Sequence, residues 1–152
     1  MPISDEQITR LIYRSCLRLD AEDFDAYLEL FAPEFAYRIS NYSVEMRKDQ
    51  NWLDVNQDEY RALLANVPLH SKPLGTFARH ANVYDIERNG ETRAKVTTFL
   101  TVYYTTPEGG TSVFAVGKYF DEIDITGEQS LIVDREVRLD TREVGIGSIL
   151  PM

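Results

Sequence analysis

The fold is decided by residues 18–39, RLDAEDFDAYLELFAPEFAYRI. This stretch predicts the end of one helix, a tight acidic turn, a second short helix and then a strand. Apolar side chains recur at helical spacing on both sides of the turn, and Asp20 lies at the bend, one residue after Leu19. Two helices with apolar faces need a sheet to cover, and the chain after residue 77 has the pattern of that sheet. The direction of the Asp20 carboxylate therefore separates two interpretations: a reactive pocket under the helices, or a cap on the turn.

Local signals mark where the helices begin and end. Ser4 and Gln7 form a capping box, which predicts that the first helix starts directly after Ser4. Asp23 is a good N-cap for the second helix. Pro33 is expected to end that helix, because a proline disfavours helical conformation in the residue before it. A third helix is predicted over residues 58–66.

The rest of the chain predicts one strand and then a meander. Alternating apolar residues indicate a strand over residues 34–40. Residues 41–57 have no clean period and predict a long excursion, with room for one short strand, of the kind that is often functional or contacts a partner. Asn89-Gly90 is a strong signal for a two-residue hairpin, and Gly117 marks a bulge or bend. Long strands joined by short turns suit a strongly curved antiparallel sheet. The predicted meander strands span residues 78–88, 91–105, 111–123 and 129–141.

Composition limits the class of protein. With 152 residues, of which 43% are hydrophobic, the chain is expected to form a single domain, residues 1–152, with a substantial core. A net charge of −9 would repel nucleic acid. No apolar run reaches the roughly 20 residues that cross a bilayer, and the acidic start MPISDEQ lacks signal-peptide features, so a cytoplasmic protein without a membrane partner is predicted. One cysteine, Cys16, cannot build a cysteine-rich zinc or iron–sulfur site.

The order of helices and strands resembles the superfamily of cone-shaped α+β barrels named for nuclear transport factor 2, which includes SnoaL-like proteins, scytalone dehydratase and ketosteroid isomerase. This resemblance implies an α+β fold in which three helices close a curved antiparallel sheet into a cone. Within the superfamily, residues 19–37, the pair Arg79-His80, and residues 113–119 with 135–142 resemble the small (beta) subunits of Rieske non-heme iron ring-hydroxylating oxygenases. The tail, residues 149–152, is similar to small subunits of terephthalate-type and methanesulfonate-type oxygenases.

The resemblance to oxygenase beta subunits implies a partner and a role. Such subunits are joined to large alpha subunits, typically three of each, so a homotrimer of this chain within a three-alpha three-beta complex is expected. The alpha subunit carries the Rieske [2Fe–2S] cluster and the mononuclear iron, and the beta subunit is mostly structural. The family acts in the degradation of aromatic or similar small organic compounds. No cofactor is therefore predicted in this chain, and its expected work is assembly.

Three residues are candidates for an interior pocket. The resemblance to scytalone dehydratase matches Asp20 to that enzyme's pocket aspartate and His80 to one of its catalytic histidines, and Tyr37 would add a hydroxyl. A carboxylate that orients an imidazole is a sound general acid–base pair. The second histidine of that enzyme would fall near residues 97–101, where this chain has none. The preferred hypothesis is therefore that Asp20 and His80 are internal hydrogen-bond partners, with a dehydratase or isomerase activity as the alternative. Arg79 is expected to face the opposite, outer side.

Two other hypotheses use the same interior. A small-ligand binding module would keep the cavity without any chemistry. An iron site of two histidines and one carboxylate could be drawn from His70, His80 and an acid. Two histidines ten residues apart are weak support for such a site, and no metal is predicted.

The C-terminal part of the chain supplies the interface candidates. A charged strand end predicts either a solvated, salt-bridged edge or a contact with another subunit. The glycine-spaced apolar tail that follows would be an exposed patch unless a partner covers it or it folds back on its own core. The interface candidates are Arg135, Arg138, Asp140, Arg142, Ile149 and Leu150.

Overall fold

The structure is a computed structural model that describes residues 2–66, 75–142 and 151–152. His70, Ile149 and Leu150, which the sequence analysis singled out, lie outside these residues. The helices of the described residues are α1 (Asp5–Asp20), α2 (Phe24–Leu28) and α3 (Gln57–Asn66). The strands are β1 (Phe31–Ser43), β2 (Lys48–Asn56), β3 (Thr76–Asn89), β4 (Arg93–Thr105), β5 (Thr111–Asp124) and β6 (Leu131–Leu139).

The helix starts follow the predicted caps. The Gln7 main-chain N–H donates to Ser4 Oγ at 3.2 Å, and the Ser4 N–H donates to Gln7 Oε1 at 2.8 Å, so the capping box at α1 is confirmed. Asp23 Oδ1 accepts a hydrogen bond from the Ala26 N–H at the start of α2. Between the helices, Glu22 has a φ of 54°, a left-handed conformation that turns the chain sharply. The two helices therefore meet across the acidic turn that residues 18–39 predicted.

The six strands form one curled sheet in the order β2-β1-β6-β5-β4-β3. Among the strands of the described residues, only the β1–β6 pair is parallel, and the other pairs are antiparallel. The sheet curls without closing into a barrel, and α1, α2 and α3 pack on its concave side. Alternate strand positions face this interior and form a continuous core with the apolar faces of the helices. The predicted α+β cone is confirmed.

Two features of the first strand differ from the prediction. The helix α2 ends at Leu28, and Pro33 lies inside β1, where the register against β6 shifts between Phe31 and Ala36. A proline has no N–H to donate to the neighbouring strand, so the ladder is interrupted there. The predicted excursion after residue 40 is instead a hairpin, in which β1 continues to Ser43 and pairs with β2. Buried polar residues at the end of β1 and exposed residues along β2 hid the strand period.

Gly117 lies in a regular part of β5, opposite Leu100 on one side and Leu139 on the other. Of the predicted bulge or bend at this glycine, the bulge is therefore wrong. The reason for a glycine is a close approach: a Cβ at this position would lie 2.2 Å from the main-chain oxygen of Arg138 and 2.9 Å from Leu139 Cα. The backbone at the end of β6 thus occupies the space that any other residue would fill.

We expect Gly117→Ala to lower the free energy of unfolding by about 3 kcal/mol, because the clash is with backbone that cannot rotate away. Urea denaturation followed by the fluorescence of Trp52, the single tryptophan, would measure it. Gly110→Ala is the matched control, since its added Cβ would meet only Thr106 Oγ1 at 3.6 Å. Equal stability of the two variants would contradict the close approach.

Candidate functional site

The interior of the cone is lined by four tyrosines. Tyr27 of α2, Tyr37 of β1, Tyr60 of α3 and Tyr119 of β5 are all fully buried. The Tyr27 and Tyr60 hydroxyls are 3.1 Å apart, and the Tyr37 and Tyr60 rings are stacked with centroids 4.2 Å apart. Burial raises the pKa of each of the four phenols above its usual value. These side chains therefore act as neutral hydroxyls at every physiological pH.

A buried ion pair lies beside the tyrosines. Arg135 of β6 donates from Nε to Asp121 Oδ1 at 2.8 Å and from Nη2 to Asp121 Oδ2 at 3.1 Å, with both side chains fully buried. The guanidinium carbon lies 4.0 Å from the centroid of the Tyr119 ring. Burial works against the charge of Arg135, but the Asp121 carboxylate together with the oxygens of Tyr27 and Tyr119 raises the pKa of the guanidinium. Burial raises the pKa of the Asp121 carboxyl, and the two short contacts have the geometry of a bidentate ion pair. Within the described residues Nη1 of Arg135 has no hydrogen-bond partner.

The charged strand end was predicted to be either a solvated edge or a subunit contact, and the solvated edge is wrong for Arg135, which is fully buried. Arg135 shares the inner face of β6 with Val137 and Leu139, as strand alternation requires. The same alternation places Asp121 inside, opposite Arg135 on the neighbouring strand. Sequence reasoning missed Asp121, although its position between two inward apolar residues of β5 was the available signal. It grouped Arg135 by charge with its neighbours instead of by strand face.

Asp20 pairs with Arg79 and not with His80. Asp20 Oδ1 accepts from Arg79 Nη1 at 2.6 Å, and Asp20 Oδ2 accepts from the Arg79 main-chain N–H at 3.1 Å. The Arg79 side chain points inward opposite buried Val102, whereas His80 is exposed on the outer face with its ring against Tyr103. The prediction that Asp20 and His80 are internal partners is therefore wrong, and so is the outward orientation of Arg79. A dehydratase-like pair of these two residues has no geometric basis here, because their side chains lie on opposite sides of β3.

The interior also holds the end of the described chain. Arg79 donates from Nε to the main-chain oxygen of Met152 at 2.9 Å and from Nη2 to that of Pro151 at 2.6 Å. The Tyr119 hydroxyl donates to the same Met152 oxygen, and the Met152 N–H donates to the Tyr37 hydroxyl at 3.1 Å. Residues 151–152 thus fold back on the core, which is one of the two arrangements predicted for the tail. Tyr37 does line the interior, but its partner is the chain itself.

The remaining described interface candidates lie at the end of β6 or directly after it: Arg138, Asp140 and Arg142. Arg138 donates from Nη2 to Asp49 Oδ1 of β2 at 2.7 Å, and this hydrogen bond lowers the pKa of the Asp49 carboxyl. Arg142 and Asp140 are exposed. A cleft of about 550 Å³ lies beside them, with Arg142, Trp52 and Tyr42 in its walls. The side chains of Tyr42, Val44 and Met46 are exposed at the β1–β2 turn, and with Arg138 and Arg142 we call this set the hairpin surface.

The described residues set limits on other chemistry. In residues 2–66, 75–142 and 151–152, no group of three or more histidine, cysteine or acidic side chains is arranged to hold a metal ion. Cys16 is buried on α1, where burial raises the pKa of its thiol. Among the helices described above, none is long and apolar enough to cross a membrane.

An α+β cone, in which helices pack on one face of a curled sheet, defines a broad class of proteins. A family model shows to which family within that class the chain belongs. The chain belongs to the SnoaL-like domain family, whose model matches residues 3–136. It is 30% identical to the methanesulfonate monooxygenase hydroxylase subunit beta of Methylosulfonomonas methylovora, over 97% of this chain and 86% of the relative. It is 26% identical to the 2-aminobenzenesulfonate 2,3-dioxygenase subunit beta of an Alcaligenes species, over 95% of this chain and 97% of the relative.

Solved structures share this fold. The beta subunit assigned to an aromatic-ring-hydroxylating dioxygenase of Novosphingobium aromaticivorans superposes with a TM-score of 0.84 at 15% identity, over 97% of this chain and 95% of that one. A chain of naphthalene 1,2-dioxygenase has a TM-score of 0.69 at 16% identity, over 96% of this chain and 84% of that one. The resemblance to oxygenase beta subunits, including the methanesulfonate type, is confirmed.

Proposed function

We propose that this chain is the beta subunit of an oxygenase hydroxylase component and that its work is to assemble with a large alpha subunit. The observation that carries the proposal is the occupied interior. There, Tyr37, Tyr119 and Arg79 form hydrogen bonds with Pro151 and Met152 of the same chain. An enzyme with this fold would need those groups for its substrate. The two curated relatives are themselves beta subunits and align with nearly the whole chain.

The alpha subunit would supply the oxygen chemistry. It would hold the Rieske [2Fe–2S] cluster and the mononuclear iron, and three copies of each chain would form a three-alpha three-beta assembly in the cytoplasm. Both curated relatives are named for sulfonates, so small organic sulfonates are the first substrates to assay.

Co-expression with the Rieske-type large subunit encoded nearest to it would test the proposal. The two chains should co-purify, and light scattering should give a mass of three alpha and three beta chains. Sulfonate-dependent oxygen uptake should require both chains, and this chain alone should give none. A chain that remains a monomer and leaves the large subunit unbound would contradict the proposal.

The hairpin surface is the face that we assign to the alpha subunit. It combines three exposed apolar side chains with two arginines, and aromatic, methionine and arginine side chains are enriched at protein interfaces. The Arg138–Asp49 ion pair connects the hairpin to the end of β6 at 2.7 Å, so the apolar side chains and the arginines belong to one continuous face.

Val44→Asp is expected to reduce co-purification of the alpha subunit by at least tenfold, because a charge would be buried at the centre of the contact. Its own melting temperature should not change, since the side chain is exposed. Val113→Asp is the matched control: both valines are 55% exposed, but Val113 lies in β5, near the start of that strand and away from the hairpin surface. Loss of assembly in both variants, or in neither, would show that the hairpin surface is not the contact.

A further inference from the structure

We propose that the cone interior is a binding site for a peptide-like ligand, and that Pro151 and Met152 occupy it in cis. The ligand class is a peptide segment, or an N-acyl amino acid amide, with an unbranched apolar side chain. This inference concerns the chain by itself and does not depend on the proposed oxygenase partner.

The hydrogen-bonding groups of the site form a pattern that matches one peptide unit. The Arg79 guanidinium donates to two successive main-chain oxygens, and the Tyr119 hydroxyl donates to the second of them. The Tyr37 hydroxyl accepts from the N–H between those oxygens. The order acceptor, donor, acceptor is that of an amide-linked ligand, and all three protein side chains are buried.

The charges in the site favour a neutral ligand backbone. Arg79 is already paired with Asp20, at 2.6 Å between Nη1 and Oδ1, so its charge is compensated without the ligand. Its remaining N–H groups are free to donate to uncharged carbonyl oxygens. The Met152 side chain packs in the main apolar cluster and is only 1% exposed, which selects a slender apolar group at that position.

The site also connects four separate elements. Asp20 ends α1, Arg79 lies on β3, Tyr37 on β1 and Tyr119 on β5. A ligand that bonds to Arg79, Tyr37 and Tyr119 at once therefore ties the first helix to both halves of the sheet. Occupation of the site is expected to stabilise the cone as a whole.

A deletion of residues 151–152 would open the site for a direct binding test. N-acetyl-prolyl-methionine amide should raise the melting temperature of the shortened chain and give a saturable calorimetric signal. The full chain should show neither effect, because its own segment competes at a high effective concentration. N-acetyl-prolyl-aspartate amide, which would bury a charge, should not bind. If the shortened chain folds but does not bind the methionine peptide at any concentration up to the peptide's solubility limit, the proposal is overturned.

Tyr37→Phe in the shortened chain should weaken the peptide by about tenfold, the usual value of one buried hydrogen bond. Tyr13→Phe is the matched control. The Tyr13 hydroxyl also accepts a main-chain hydrogen bond, from Val83, but on the surface. Equal weakening in both variants, or none in Tyr37→Phe, would argue against the assigned site.

Methionine oxidation of the full chain gives a second measurement if the shortened chain does not fold. Met46 is 52% exposed and Met152 1%, so peroxide should oxidise Met46 first. Tyr37→Phe should speed the oxidation of Met152 severalfold and leave Met46 unchanged, with Tyr13→Phe unaltered at both. Oxidation of Met152 as fast as Met46 in the unaltered chain would overturn the proposal.

Discussion

Asp121→Ala is expected to lower the free energy of unfolding by about 3–5 kcal/mol, because it leaves the Arg135 guanidinium buried without its carboxylate. A domain of this size is stable by only about 5–15 kcal/mol, so the variant should be near the limit of folding. The urea midpoint, read from Trp52 fluorescence, measures the loss.

The neighbouring pair on the outer face is the control for this effect. Asp134 lies next to Arg135 in sequence, but its carboxylate pairs with Arg38 where both side chains are partly exposed to water. Asp134→Ala should cost less than about 1 kcal/mol. Combining Asp121→Leu with Arg135→Met should recover most of the lost stability, since apolar side chains of similar volume often replace a buried ion pair at no net cost. Similar losses for the Asp121 and Asp134 variants would mean that the inner pair is not desolvated.

Alkaline pH is expected to unfold the protein steeply. Burial raises the pKa of Tyr27, Tyr37, Tyr60 and Tyr119, so the native state keeps four protons that the unfolded chain loses near its ordinary pKa of about 10. The native state then binds more protons than the unfolded state, and the free energy of unfolding falls as pH rises. This stability is complete below pH of about 10 and is lost above it.

Each of the four tyrosines contributes up to about 1.4 kcal/mol per pH unit to this loss, and together they contribute up to about 5. Urea denaturation at neutral pH and at several values above about 10 would give the slope. Tyr60→Phe should reduce the slope by about a quarter, whereas Tyr84→Phe, at an exposed position, should leave it unchanged. A stability that stays level through this range would show that the phenols ionise without unfolding.

Patterns close together in the chain were sufficient for most of the fold. The capping box at Ser4, the N-cap Asp23 and the alternation in the meander each act over a few residues, so the sequence predicts them well. The β1–β2 hairpin was missed because the end of β1 buries polar residues such as Asn41 and Ser43, and β2 is largely exposed, so neither segment carries a clear apolar period. Pro33 was misplaced because a proline is compatible with both a helix end and an interrupted strand.

The candidate site could be predicted only in part. Tyr37 was correctly placed in the interior, because its strand has a clear apolar alternation. Arg79 and His80 were correctly placed on opposite sides of a strand, but in the wrong orientation. Alternation says that two neighbours face apart and does not say which one faces the core when both are polar.

The sequence by itself determined the helices, the meander and the family, since these follow from local spacing and from motifs spread along the chain. Only the tertiary structure decided what fills the cone. Asp20 bonds to Arg79, which is 59 positions away in the sequence, and Arg79 bonds to Met152, which is 73 positions away. A buried guanidinium needs a hydrogen-bond acceptor beside it. The packing of α1, the sheet and residues 151–152 decides which acceptor that is.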